Sequence, residues 1–214
     1  MRRPIPDLPT TFTTSTAIAA GLPGVSLLRL RDAGELTELS RGIFRHADAP
    51  EPTHPDLLAL SLRVPNGIIC AVSAAAAYDL TDELLARVQI AVARGTTRPK
   101  ITYPPTRVFT FEPSTFELGL TEIEAAPGEW VRIYSPPRTV VDLMKLRRQI
   151  GENIALIVLR RYLSTPDAEP GRVLEFARAL KVFGPVQAAL DAVGAPFNWA
   201  RRTPGFVTTS TSSP

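Results

Sequence analysis

Apolar positions change period along this chain, and each change marks an element. Over residues 13–33, Ala17, Leu22, Leu27 and Leu30 recur at helical spacing around Gly21. That pattern predicts one helix over residues 14–20, capped by Thr14, and a second over 25–33 that ends at Gly34. Residues 35–39 then alternate as a strand does. Ser40-Arg41-Gly42 reads as a turn, and residues 43–46 form the return strand. Pro50, Pro52 and Pro55 break all periodicity across residues 48–56, which reads as a linker.

The remainder reads as a second unit. A short helix over residues 56–63 stops at Pro65-Asn66-Gly67, residues 68–72 are a buried strand or helix start, and Ser73 caps a helix through Tyr78. Strands are expected over residues 88–92, 107–111 and 130–134. Ser135 caps a helix with Pro136 at its first position, running to about Gln149 and ending at Gly151. Helices follow over residues 152–163, 170–182 and 185–193. Residues 1–12 read as an irregular arm and 201–214 as a disordered, Thr/Ser-rich tail. The expected fold class is therefore α+β. A winged helix-turn-helix over residues 1–50 precedes a larger C-terminal domain, residues 57–200, with a small, mostly antiparallel sheet and several helices.

Composition narrows the function. Of 214 residues, 44% are hydrophobic, enough for a core, while a net charge of +3 permits a nucleic-acid partner without demanding one. The basic residues are nearly all Arg, with Lys only at 100, 145 and 181. A single cysteine, Cys70, lies in an apolar run, which excludes a disulfide framework and a cysteine zinc site. The charged start lacks a following apolar run and no stretch reaches membrane-span length, so a cytoplasmic protein without membrane contact is expected.

A winged helix binds DNA by laying its second helix in the major groove and its hairpin along the backbone. Ser26 and Arg29 would then sit on the outer face of that helix, with Arg31 near its end, and Arg29 could take guanine bidentately. Arg41 at the hairpin tip, Arg45 and His46 on the return strand, and Arg2 and Arg3 in the arm would hold phosphates. Two features oppose this. Residues 1–60 carry six Lys/Arg against seven Asp/Glu, and Asp32 lies on the recognition helix itself. The basic excess is downstream. Arg94, Arg98, Lys100, Arg147 and Arg148 make a secondary basic surface that could extend a DNA track onto the second domain.

The arrangement resembles the AbiEi family, antitoxins of type IV toxin–antitoxin systems. The resemblance begins at Thr13-Thr14 and Ala19-Ala20-Gly21-Leu22, and continues through Leu27-Leu28-Arg29-Leu30, Gly34-Glu35-Leu36 and Arg41-Gly42-Ile43-Phe44-Arg45. It is clearest at Ile133-Tyr134-Ser135-Pro136-Pro137-Arg138-Thr139-Val140-Val141-Asp142-Leu143. The resemblance implies a transcriptional autorepressor that binds promoter repeats upstream of its own gene and counteracts a nucleotidyltransferase-like toxin. Pro23-Gly24-Val25 stand where relatives carry polar or basic residues, which leaves base readout to Ser26 and Arg29 or to DNA shape. In the second signature, Arg138 and Asp142 are spaced to pair on a helix surface, a contact worth ~0.2–0.5 kcal/mol when exposed.

Two other functional classes compete with a DNA-binding regulator. An enzyme has little support: His46 falls on the wing, His54 in the linker, and the Asp79-Asp82-Glu83 cluster beside Thr81 reads as a capped turn. No catalytic residue, metal or cofactor is expected. The alternative is a protein-interaction module that neutralises the toxin by direct contact, with weak or no specific DNA binding.

Overall fold

The computed structural model describes residues 8–194 apart from Thr102. Arg2, Arg3, most of the expected arm and the expected tail lie outside the described residues.

The N-terminal unit is a small winged helix. Strand β1 (Thr11–Thr13) leads into α1 (Thr14–Ala19), α2 (Gly24–Asp32) and the hairpin β2 (Leu36–Ser40) and β3 (Ile43–His46). β3 is the central strand, paired antiparallel to both others. The expected irregular arm therefore ends earlier than residue 12, because Phe12 is buried against Phe44 with ring centroids 6.3 Å apart. Thr13, not Thr14, caps α1, its hydroxyl accepting from the Thr16 N–H at 3.1 Å. Thr14 instead faces the hairpin, where its N–H and hydroxyl both donate to the Gly42 carbonyl, at 2.9 and 3.2 Å. Ala17 is fully buried where the helices meet. Gly21 turns the chain at φ +85°, and the Leu22 N–H closes back on the Ala17 carbonyl at 2.9 Å.

The second unit is a five-stranded sheet with helices on both faces. Its elements are α3 (Pro55–Arg63), β4 (Ile68–Ile69), α4 (Ala71–Ala77), β5 (Val88–Ala93), β6 (Thr106–Phe111), β7 (Leu120–Ala126), β8 (Glu129–Tyr134), α5 (Pro136–Ile150), α6 (Glu152–Leu163), α7 (Pro170–Ala179) and α8 (Phe183–Gly194). Strand order is β6-β5-β4-β8-β7. The α+β expectation holds, but the sheet is mixed rather than mostly antiparallel: β5 with β6 and β4 with β8 run parallel, the other two pairs antiparallel. One apolar layer joins Ile68, Ala91 and Phe109 to α5–α8, and the other joins Ile69, Ile90 and Ile133 to α3.

One expected cap is corrected, and another holds in position but not in bonding. Ser73 lies within α4, whose N-cap is Cys70, and its hydroxyl accepts from the Gln89 N–H at 2.8 Å. Ser135 stands at the α5 N-cap but its side chain makes no capping bond; Thr139 Oγ1 donates to the Tyr134 carbonyl instead, at 3.1 Å.

The Arg138–Asp142 pair is not on a surface. Both side chains are at most 2% exposed, with Arg138 Nε 3.0 Å from both carboxylate oxygens. Arg138 Nη1 donates to the Thr115 carbonyl at 2.9 Å and to that of Leu118. The guanidinium lies 4.3 Å from the Tyr134 ring centroid. It thus ties the loop before β7 to α5, and burial pushes the Asp142 carboxyl up to about 6, with Arg138 pulling it back down.

The β2–β3 hairpin joins the two units. Leu39 packs into the apolar layer of α3. Arg45, 3% exposed, donates to Thr11 Oγ1 at 2.6 Å, to the Pro50 carbonyl at 2.7 Å and to the Glu129 carboxylate at the start of β8. The His54 N–H meets the Ala125 carbonyl at 3.0 Å. The segment expected as a linker is therefore pinned at both ends, and α3 already begins at Pro55.

Candidate nucleic-acid interface

In α2, Leu27 is buried and Leu30 half-buried, so the opposite face is set by spacing of three and four: Val25, Leu28, Arg29 and Asp32 are exposed. Arg29 has an open face, as expected, while Ser26 is half-buried at the edge. Val25 and Leu28, 64% and 47% exposed, are the residues that sequence reasoning passed over. Their signal was present in the spacing to Arg29. Apolar side chains on such a face suit the thymine methyl in the major groove.

Arg31 is half-exposed but engaged, donating to Glu38 at 2.9 Å and to Asp32 at 3.0 Å. Hydrogen bonding to Glu38, then to Asp32, raises its pKa further. It fastens the end of α2 to β2, and any phosphate would have to compete with two carboxylates.

The hairpin tip presents Arg41 to solvent. Its backbone is set by Glu38, which accepts from the Gly42 N–H at 2.8 Å, and by Gly42 at φ +75°. Arg45 does not join it. A guanidinium 3% exposed and held by Glu129, Thr11 and Pro50 cannot reach a phosphate, so the expected contact is corrected to an interdomain tie. His46 is half-buried, its ring 5.7 Å from that of Phe12.

The tip also meets the second unit. Ser40 Oγ donates to the Tyr103 carbonyl at 3.0 Å, and Arg63 at the end of α3 donates to Ser40 Oγ at 2.9 Å and to the Arg41 carbonyl. Neither Arg63 nor Tyr103 was singled out from the sequence, because only the docking of the two units brings them to the wing. Of the secondary basic residues, Arg94 pairs with Glu112. Arg98 and Lys100 are exposed on the β5–β6 loop, and Arg148 is exposed at the end of α5. Arg147 is half-buried, donating to the Met144 carbonyl at 2.7 Å.

The acidic cluster is a turn. Thr81 Oγ1 accepts from the Glu83 N–H at 3.2 Å, and Asp82 pairs with Arg161, which lowers its pKa. Among the described residues, no three His, Cys, Asp or Glu side chains gather as a metal site would require. No helix among them is long and apolar enough to cross a membrane.

Residues 8–46, the whole winged helix, match the family described as transcriptional regulator, AbiEi antitoxin. The resemblance read from the sequence is borne out over that span. In fold, the chain is similar to the RV2827C protein from Mycobacterium tuberculosis. The two share a TM-score of 0.60 and 16% identity over 88% of this chain and 73% of that one. No curated protein matches the chain in sequence.

Proposed function

We propose that this chain is a DNA-binding antitoxin that represses its own operon and counteracts a nucleotidyltransferase-type toxin encoded beside it. The observation that carries the DNA reading is the outer face of α2, with Arg29 open beside Val25 and Leu28, next to a hairpin whose tip offers Arg41. The family match over residues 8–46 supports the regulator class. Arg29 reads a guanine edge, Val25 and Leu28 contact thymine methyls, and Arg41 holds a backbone phosphate.

Titrating the purified chain against duplex from upstream of its own gene, beside a scrambled duplex, tests this reading. Tight, salt-sensitive binding to the native duplex is expected. Equal, weak binding to both would refute sequence-specific repression. Co-expression with the neighbouring toxin tests the antitoxin half: growth rescued by this chain supports it, and unrelieved toxicity removes it.

A further inference from the structure

The outer face of α2 ends in a carboxylate. Val25, Leu28, Arg29 and Asp32 share that face by helical spacing, and all four are exposed. Asp32 is the last residue of the helix, where the backbone dipole disfavours negative charge. The phosphates of a duplex would disfavour it again. Arg31 offsets both costs. Its Nε and Nη2 donate to Asp32 Oδ1 at 3.2 and 3.0 Å, and its Nη1 donates to Glu38 of the wing at 2.9 Å. Glu38 is held in turn, accepting from the Gly42 N–H at 2.8 Å. Both bonds to Asp32 fall on the same oxygen. Among the described residues Oδ2 accepts no hydrogen bond, and the Asp32 side chain is 69% exposed. A relay from the wing through Glu38 and Arg31 therefore fixes one carboxylate oxygen and leaves the other open, on the face that carries Arg29.

An ionised carboxylate oxygen can only accept. In the major groove cytosine presents a donor alone, its N4 amino group, whereas guanine N7 and O6 and thymine O4 are acceptors that repel a carboxylate. Adenine offers its N6 donor beside the acceptor N7. Asp32 and Arg29 are three residues apart, which puts their Cβ atoms about 5–6 Å from each other. Successive bases of one strand rise about 3.4 Å. The two side chains therefore reach the same base pair or neighbouring ones. A G·C pair suits both, with guanine acceptors for Arg29 and the cytosine donor for Asp32. We propose that Asp32 is a specificity-determining residue that accepts from a cytosine N4 amino group within about two base steps of the guanine taken by Arg29, and that Arg31 is its positioning residue. This rests on the DNA-binding reading above. It changes the meaning of the acidic residue on the recognition helix: a charge that weakens attraction to every duplex also rejects the wrong bases at one position.

The test is a scan of the upstream duplex in which each cytosine in turn is replaced by N4-methylcytosine. That base still pairs with guanine but carries a methyl where the groove-facing amino hydrogen was. Affinities are compared for the full unaltered chain, Asp32→Ala and Arg31→Ala, with a scrambled duplex alongside. In the unaltered chain, methylation of one cytosine in each bound site is expected to weaken binding about fivefold or more. Asp32→Ala should abolish that penalty and bind the scrambled duplex more tightly, while the penalty for replacing the Arg29 guanine stays. Arg31→Ala should shrink the cytosine penalty and leave the guanine penalty in place. If Arg31→Ala instead weakens native and methylated duplexes by the same factor, Arg31 is structural only and the positioning role is overturned. If Asp32→Ala tightens native and scrambled duplexes equally and the methyl penalty persists, Asp32 is a repelling charge and no reader. Specific binding by the unaltered chain with no sensitive cytosine would overturn the proposal while leaving the DNA reading intact. No specific binding by the unaltered chain would overturn both.

Discussion

Arg138 shows how burial changes the meaning of a residue pair. Its spacing to Asp142 is legible in the sequence, but what covers it comes from residues 115–119 and from Tyr134, which no helical spacing could reveal. A pair worth tenths of a kcal/mol on a surface becomes one whose disruption leaves a buried charge. The folded Asp142 value, about 6, lies above the unfolded value, near 3.9. Its contribution to stability is therefore full below about pH 4 and declines as pH rises through about 6. Without Arg138 the carboxyl rises further and the decline extends to higher pH. Arg138→Met is expected to cost about 3–5 kcal/mol at pH 8 and clearly less at pH 5, read from urea midpoints. A penalty independent of pH would show that the cost does not come from the Asp142 charge. Gly119 bears on the same side chain. At φ +74°, an added Cβ would lie 2.7 Å from Arg138 Cβ. Gly119→Ala should destabilise by about 2 kcal/mol or more, and a neutral thermal shift would contradict that crowding.

Elements with one clear period were legible and those without one were not. The return strand Ile43–His46 and the helix Glu152–Leu163 stand where the pattern places them. β7 was missed because Leu120 and Ile123 are three apart and its register breaks between Glu124 and Ala126, so no alternation survives. The winged helix was readable from Ala17, Gly21 and Leu27. Its exposed cations were only half readable, since Arg45 and Arg31 look like surface cations until Glu129 and Glu38 are seen beside them. Helix and hairpin should separate functionally. Arg29→Ala on α2 should reduce discrimination between native and altered guanine positions by about 1–3 kcal/mol. Arg41→Ala at the tip should weaken native and scrambled duplexes alike and flatten the salt slope by about 0.9. Identical behaviour of the two variants would remove the division between reading helix and backbone-holding wing.

At the scale of the molecule, the prolines between the units suggest independence, whereas the contacts do the opposite. The hairpin that serves as the wing is also the surface on which the second unit rests: Leu39 enters the α3 layer, Ser40 and Arg41 meet Tyr103 and Arg63, and Arg45 is neutralised by Glu129. A buried guanidinium deprived of its carboxylate is costly, so the winged helix is expected to depend on the domain behind it. Residues 1–56 produced alone would expose Leu39 and leave Arg45 without Glu129. Amide hydrogens of Ile43, Phe44 and Arg45 should then exchange much faster than in the full chain, by at least about 100-fold if the lost tie is worth about 3 kcal/mol. Glu129→Ala in the full chain should show part of the same effect while leaving the α5–α8 layer protected. Equal protection of the hairpin in fragment, variant and full chain would mean that the two units fold independently. The wing would then have no fixed position relative to the domain behind it, so this exchange measurement bears on how the two units are coupled as well as on stability.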